Sequence, residues 1–237
     1  MKHTERLNWD HVFPVSWYPD SHDAQEEKWK VPSCPQCNSK LGAIEKDLLI
    51  RLGLALNPDH PAAAGIGEKA IRSLDANAAK TGKDRKQRQR KLEQIQAETT
   101  NFDSATSEST YPGFGPDRFP EHTNLLKIGI NEKHIADLTK KIVRGMLYLD
   151  EGKLVDERFQ INVYPMREHD AARMLQIVRG WNERAHEPGI KVLRATVPED
   201  RVTSVFRIEI WGQLFLHAIV DAKESPDGTP NEPYSDI

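Results

Sequence analysis

The stretch Trp9-Asp10-His11-Val12-Phe13-Pro14, followed by Cys34-Pro35-Gln36-Cys37-Asn38, brings a carboxylate, an imidazole, two thiols and an amide into one short span of chain. Residues 6 to 13 read as a strand that stops before Pro14, because proline cannot donate to a ladder. An aromatic, acidic loop is expected from Trp17 to Lys30, and a helix from Cys37 to Leu56. In that helix Leu41, Ile44, Leu48, Leu49 and Leu52 recur at helical spacing and form a buried stripe, and Asn57-Pro58-Asp59 stops it. Neighbours on a regular strand point to opposite faces. For Asp10 and His11 to serve one phosphate, the strand must bulge or end between them.

The residue types match the needs of phosphodiester hydrolysis. A water must lose a proton near neutral pH, and imidazole, with an ordinary pKa of about 6.5, is suited to take it. His11 fits that task. The departing oxygen and the charge growing on phosphorus need a cation, which a carboxylate and an amide oxygen can hold while leaving positions for water and phosphate. Asp10 and Asn38 fit that task. A simpler reading of Cys34 and Cys37 makes them small apolar residues of a first helical turn. A third makes them a redox dithiol, since a helix N-terminus lowers a thiol pKa.

On these residues the chain resembles the HNH endonucleases of the ββα-metal class. The likeness rests on Asp10, His11, Pro14, Ser16, Cys34, Cys37, Asn38 and Gly42. Phrases such as Lys141-Ile142-Val143-Arg144-Gly145 and Ile208-Glu209-Ile210-Trp211-Gly212 resemble uncharacterised bacterial HNH proteins of this length, which extends the likeness over most of the chain. The resemblance implies His11 as general base, Asp10 and Asn38 as ligands of a magnesium-like ion (manganese, nickel and zinc being the alternatives), and Lys40 as a phosphate contact. Helix starts attract phosphate in any case. The sequence departs from the family pattern in two places. The middle Asn is replaced by Lys28-Trp29-Lys30-Val31-Pro32, and no second Cys-x-x-Cys precedes Asp10. A structural zinc wants four ligands, and Cys34 and Cys37 supply two; His3 is a third candidate, and no structural zinc is expected.

Composition bounds the rest. With 237 residues and a formal net charge of -3, the chain is not a protein that coats nucleic acid through overall charge, so a DNA contact needs a local patch. Lys83, Arg85, Lys86, Arg88, Arg90 and Lys91, interrupted by Asp84, form that patch, or else a solvated helix with little apolar face beyond Leu92 and Ile95. Two cysteines, no apolar run of membrane length and no signal-peptide pattern suggest a cytoplasmic protein that keeps away from membranes.

The expected fold class is α+β. It comprises an N-terminal ββα-metal motif over 1–57, a connector with the basic segment over 58–120, a small antiparallel sheet with two helices over 121–223, and a tail over 224–237. Ile135, Leu138, Ile142, Met146 and Leu149 mark one helix, and Met174, Leu175, Val178 and Trp181 the other. Residues 159 to 163, 191 to 197, 204 to 211 and 214 to 220 read as strands, with Gly212-Gln213 as a tight two-residue hairpin. His134, His169, His186 and His217 are scattered and suggest no second active site. The expected activity is endonucleolytic cleavage of DNA, with a homodimer as the route to paired breaks. The rival readings are an inactive HNH-like nucleic-acid-binding or scaffold protein, and a Cys-x-x-Cys thiol oxidoreductase.

Overall fold

The computed structural model describes residues 7–102, 111–112, 114, 125–152, 154–155, 158–197 and 200–223. His3 and the tail from Glu224 therefore lie outside the described residues. The chain is α+β. Strand β1 (Asn8–His11) pairs antiparallel with β2 (Lys30–Ser33), setting Asp10 opposite Val31 and His11 opposite Lys30. Helix α1 (Pro35–Ala55) follows at once. Cys34 caps it, its sulfur accepting from the Cys37 N–H at 3.2 Å, and Pro35 starts the first turn, where its missing N–H costs nothing. The stripe behaves as its spacing requires: Ile44, Leu48, Leu49 and Leu52 are buried, while Leu41, nearest the helix start, is half-buried.

Within the segment expected to be a connector, residues 66–98 form a helical layer on α1. Helix α2 (Ile66–Leu74) lies so close that a Cβ placed on Gly53 would come 2.6 Å from the Ala70 Cβ. Only a residue without a side chain permits that approach. Helix α3 (Gly82–Glu98) carries the basic run, and Thr81 caps it by accepting from the Asp84 N–H at 3.1 Å. Ile50, Leu74 and Ile95 join the three helices in a small apolar cluster of their own. Helix α2 also buries Ile66 and Ala70, so Ile66, Ala70 and Leu74 dock it at helical spacing, whereas α3 buries Ile95 alone among its residues. A two-residue strand pair, β3 (Thr100–Asn101) with β4 (Leu126–Lys127), closes this part.

Helix α4 (Glu132–Glu151) is the centre of the molecule. It packs on α1 and β2 on one side, and on β5 (Phe159–Tyr164), β8 (Asp200–Ile210) and β9 (Leu214–Ala222) on the other. With α5 (Glu168–Ile177), β6 (Asn182–His186) and β7 (Ile190–Val197), the strands form one antiparallel sheet of order β5-β9-β8-β7-β6. One buried cluster runs from Val12, Phe13, Trp17 and Leu48 through Ile142 and Met146 to Phe206 and Leu216, so the N-terminal strand pair and the C-terminal sheet share a core. Among the described residues no helix is long and apolar enough to cross a membrane.

Three local expectations are corrected. Strand β6, Asn-Glu-Arg-Ala-His, is a polar edge strand, and its lack of alternation hid it. Helix α5 ends at Ile177, so Val178 is its cap and Trp181 lies beyond it. The β8–β9 turn takes three residues rather than two, with Trp211 at φ 56° and Gly212 at φ 63°. Tertiary contacts explain the strained tryptophan: its indole N–H donates to the Trp17 carbonyl at 2.6 Å, its ring lies 4.9 Å from that of Trp17, and its backbone N–H reaches the Gly189 carbonyl.

Candidate functional site

Asp10 is buried on the face of β1 that looks toward α1 and α4. The Lys141 ammonium on α4 sits 3.1 Å from its Oδ2 and 2.5 Å from Oε1 of Glu45 on α1. Glu45 and Lys141 were not expected in the site, because no local spacing links positions so far apart in sequence. A buried and a half-buried carboxylate thus share one buried cation. Burial, reinforced by the Asp10 charge, raises the Glu45 pKa against the opposing pull of Lys141. The ammonium thus fills the place of a cation between the two carboxylates. Asn38, the other expected ligand, is half-buried in the first turn of α1. It precedes Glu45 by seven residues, which places the two on one helix face about 10 Å apart along the axis.

His11 lies on the other face of β1. The ladder is regular through Asp10 and His11, and its pairing continues to the Val12 N–H, which donates to the Trp29 carbonyl at 2.9 Å. The expected departure from a plain strand between the two residues does not occur; the strand ends after His11, where Val12 and Phe13 are both fully buried. The imidazole is half-buried beside its cross-strand partner Lys30. Burial first, then the charge of Lys30, lowers its pKa; Asp10 opposes, and Lys141 and Lys28 add smaller lowering effects. A neutral imidazole can accept a proton. Trp9, two residues earlier on the same strand face, is 67% exposed.

Neither cysteine is in a disulfide. Cys34 is buried at the cap and Cys37 half-buried, its thiol pKa raised by the hydrogen bond with Cys34 and by burial, against the charges of Lys40 and Arg144. That is the opposite of an activated thiolate. Lys40 and Arg144 are both exposed, so cations from α1 and α4 flank the helix start.

The six cations of α3 do not act alike. Arg88 pairs with Asp84 at 3.1 Å and donates to the Arg72 carbonyl at 2.5 Å, and Lys91 bonds Asp47, so these two fasten the helix. Arg85 is exposed. Lys83, Lys86 and Arg90, with Gln87, line one open concavity.

A further group was missed from sequence: His22 and Glu26 in the loop between β1 and β2, and His186 on β6. The i, i+4 spacing of the first two is the only local signal. Comparison with family models, with curated proteins and with solved structures finds no match for this chain.

Proposed function

We propose that the chain is a divalent-metal-dependent endonuclease of the HNH, or ββα-metal, class acting on DNA. The observation that carries this reading is an order of elements: the antiparallel pair bearing Asp10-His11 runs directly into a helix whose cap is Cys34 and whose first turn holds Cys37 and Asn38. His11, its pKa lowered by burial and by neighbouring lysines, would take the proton of the attacking water as the water oxygen bonds to phosphorus and the bond to the 3′ oxygen breaks. Asp10 and Asn38 would hold a magnesium ion, for which manganese, nickel or zinc could substitute. When bound, that ion supplies charge for the leaving oxygen and the phosphate. Lys40 and Arg144 attract the phosphate, and the Lys83, Lys86 and Arg90 face of α3 attracts the flanking backbone. Exposed Trp9 offers a flat apolar surface on which a base can stack.

Nicking of supercoiled plasmid across magnesium, manganese, nickel and zinc tests the reading, with His11→Ala as control. Metal-dependent nicking that the variant loses supports it. Two observations favour a second reading, a DNA-binding protein of the same fold without cleavage: the Asp10 carboxylate is engaged by Lys141, and the regular ladder turns His11 to the opposite face of β1, so that cleavage requires the strand to give way between them. Retention of plasmid DNA on the protein with no nicking in any metal would select that reading.

A further inference from the structure

His22 is 8% exposed and His186 2% exposed, and one donor atom from each, with a Glu26 oxygen, lies within 4.8 Å of the others. The polar atoms of this group are poorly satisfied by protein partners. His22 Nδ1 faces the Glu187 carbonyl at 3.1 Å and lies 3.6 Å from Glu26 Oε2; in the tautomer that donates from Nδ1 to that carbonyl, Nε2 keeps a lone pair. That Nε2 is buried without a hydrogen-bond partner. His186 Nδ1 lies 2.7 Å from Glu26 Oε1 in an ion-pair contact, while its Nε2 is buried without a partner. Leaving two buried imidazole nitrogens, His22 Nε2 and His186 Nε2, unmet costs free energy.

We propose that His22, Glu26 and His186 bind a zinc ion. Two imidazoles and one carboxylate are a zinc donor set of borderline softness, with a fourth position left for water. The carbonyl of Glu187 on His22 Nδ1 is the outer contact that fixes the tautomer of a ligating histidine. The ion fastens the loop between β1 and β2 to the edge strand β6, and so ties the strand pair carrying Asp10 and His11 to the far side of the sheet. It stands apart from the magnesium-like ion at Asp10, and from Cys34 and Cys37.

Metal analysis of the full chain, purified without chelator and dialysed against metal-free buffer, tests this without any cleavage assay. About one zinc per chain is expected. His186→Ala and His22→Asn should each weaken zinc binding by more than the ~10–100-fold that loss of an outer contact costs, while a Cys34→Ser, Cys37→Ser double variant keeps full content. Should either histidine variant fail to fold, cobalt(II) titrated into the demetallated wild-type protein gives the answer. Saturable visible bands at one equivalent without a thiolate-to-cobalt charge-transfer band support the site. Wild-type protein that binds neither zinc nor cobalt stoichiometrically would overturn it, as would zinc retained by His186→Ala or a thiolate band in the cobalt spectrum.

Discussion

Lys141 reaches from the middle of α4 to Asp10 on β1, with its ammonium 3.1 Å from the carboxylate and shared with Glu45. All three side chains are largely buried, so the cation cannot be removed without leaving two carboxylates out of water. Breaking a buried pair in this way typically costs about 3–5 kcal/mol. Lys141→Met is therefore expected to lower the urea midpoint strongly in chelator. If Asp10 is also a metal ligand, magnesium or manganese should restore part of the loss, because a bound divalent ion replaces the missing charge. Equal stability of the variant with and without metal would make the triad a structural clasp alone.

His11 offers a test in which fold and chemistry separate. Its ring is half-buried on the outer face of β1, away from the Asp10 triad, so truncation should leave the thermal midpoint within a few degrees of wild type. Loss of a general base is expected to slow nicking by about 10²–10⁴. Undiminished nicking by well-folded His11→Ala would take the imidazole out of the mechanism.

The α3 cations predict a salt dependence. Lys83, Lys86 and Arg90 share one concave face, whereas Arg88 and Lys91 are held by Asp84 and Asp47. Replacing the first three by Gln should flatten the plot of log affinity against log salt by about 0.9 for each phosphate that the protein no longer neutralises. The variant should remain as stable as wild type. An unchanged slope would place the DNA elsewhere on the surface.

Much of this fold was legible because its main elements bury one face. The leucine and isoleucine spacing of α1, the apolar stripe of α4 and the alternation in β5, β7, β8 and β9 each reflect contact with the common core. Helices α2 and α3 bury only a few apolar side chains, so a connector was the natural reading of their sequence. Strand β6 lies at the sheet edge, where alternation is not required. The site was legible only in its local part. Asp10-His11 and Cys34 to Asn38 stand out by spacing, but Glu45 and Lys141 join them through tertiary packing. His22, Glu26 and His186 meet only because β6 passes beside the loop after β1.

His217 predicts how stability responds to acid. It alternates along β9 with Leu216 and Ala218, which are in the main core, and so occupies the opposite face, beside its cross-strand partner Arg207. Burial, then the Arg207 charge, holds its pKa down to about 4. In the unfolded chain the imidazole titrates near 6.5, so between those values the unfolded state carries a proton that the native state lacks. Stability should therefore fall as the pH drops from about 6.5 to about 4, by up to an amount on the order of 3 kcal/mol. His217→Leu should remove this part of the slope, as urea midpoints taken across the window would show. Parallel losses in variant and wild type would assign the acid sensitivity to other groups.

Gly145, one turn beyond Lys141 on α4, packs against Val12, the first residue after β1. A Cβ built there would lie 2.8 Å and 3.0 Å from the two methyl carbons of Val12, the residue after His11. Val12 is fully buried and β-branched, with little freedom to rotate away. Gly145→Ala should gain about 1 kcal/mol of helix propensity, yet overpacking of a tight core costs typically about 1–3 kcal/mol. The clash is expected to win, with a net loss of up to about 2 kcal/mol. Adding Val12→Ala opens the space the new methyl needs, so the double variant should be more stable than the sum of the single losses implies. Strict additivity in denaturant unfolding would show that the strand and helix can move apart at this point without cost.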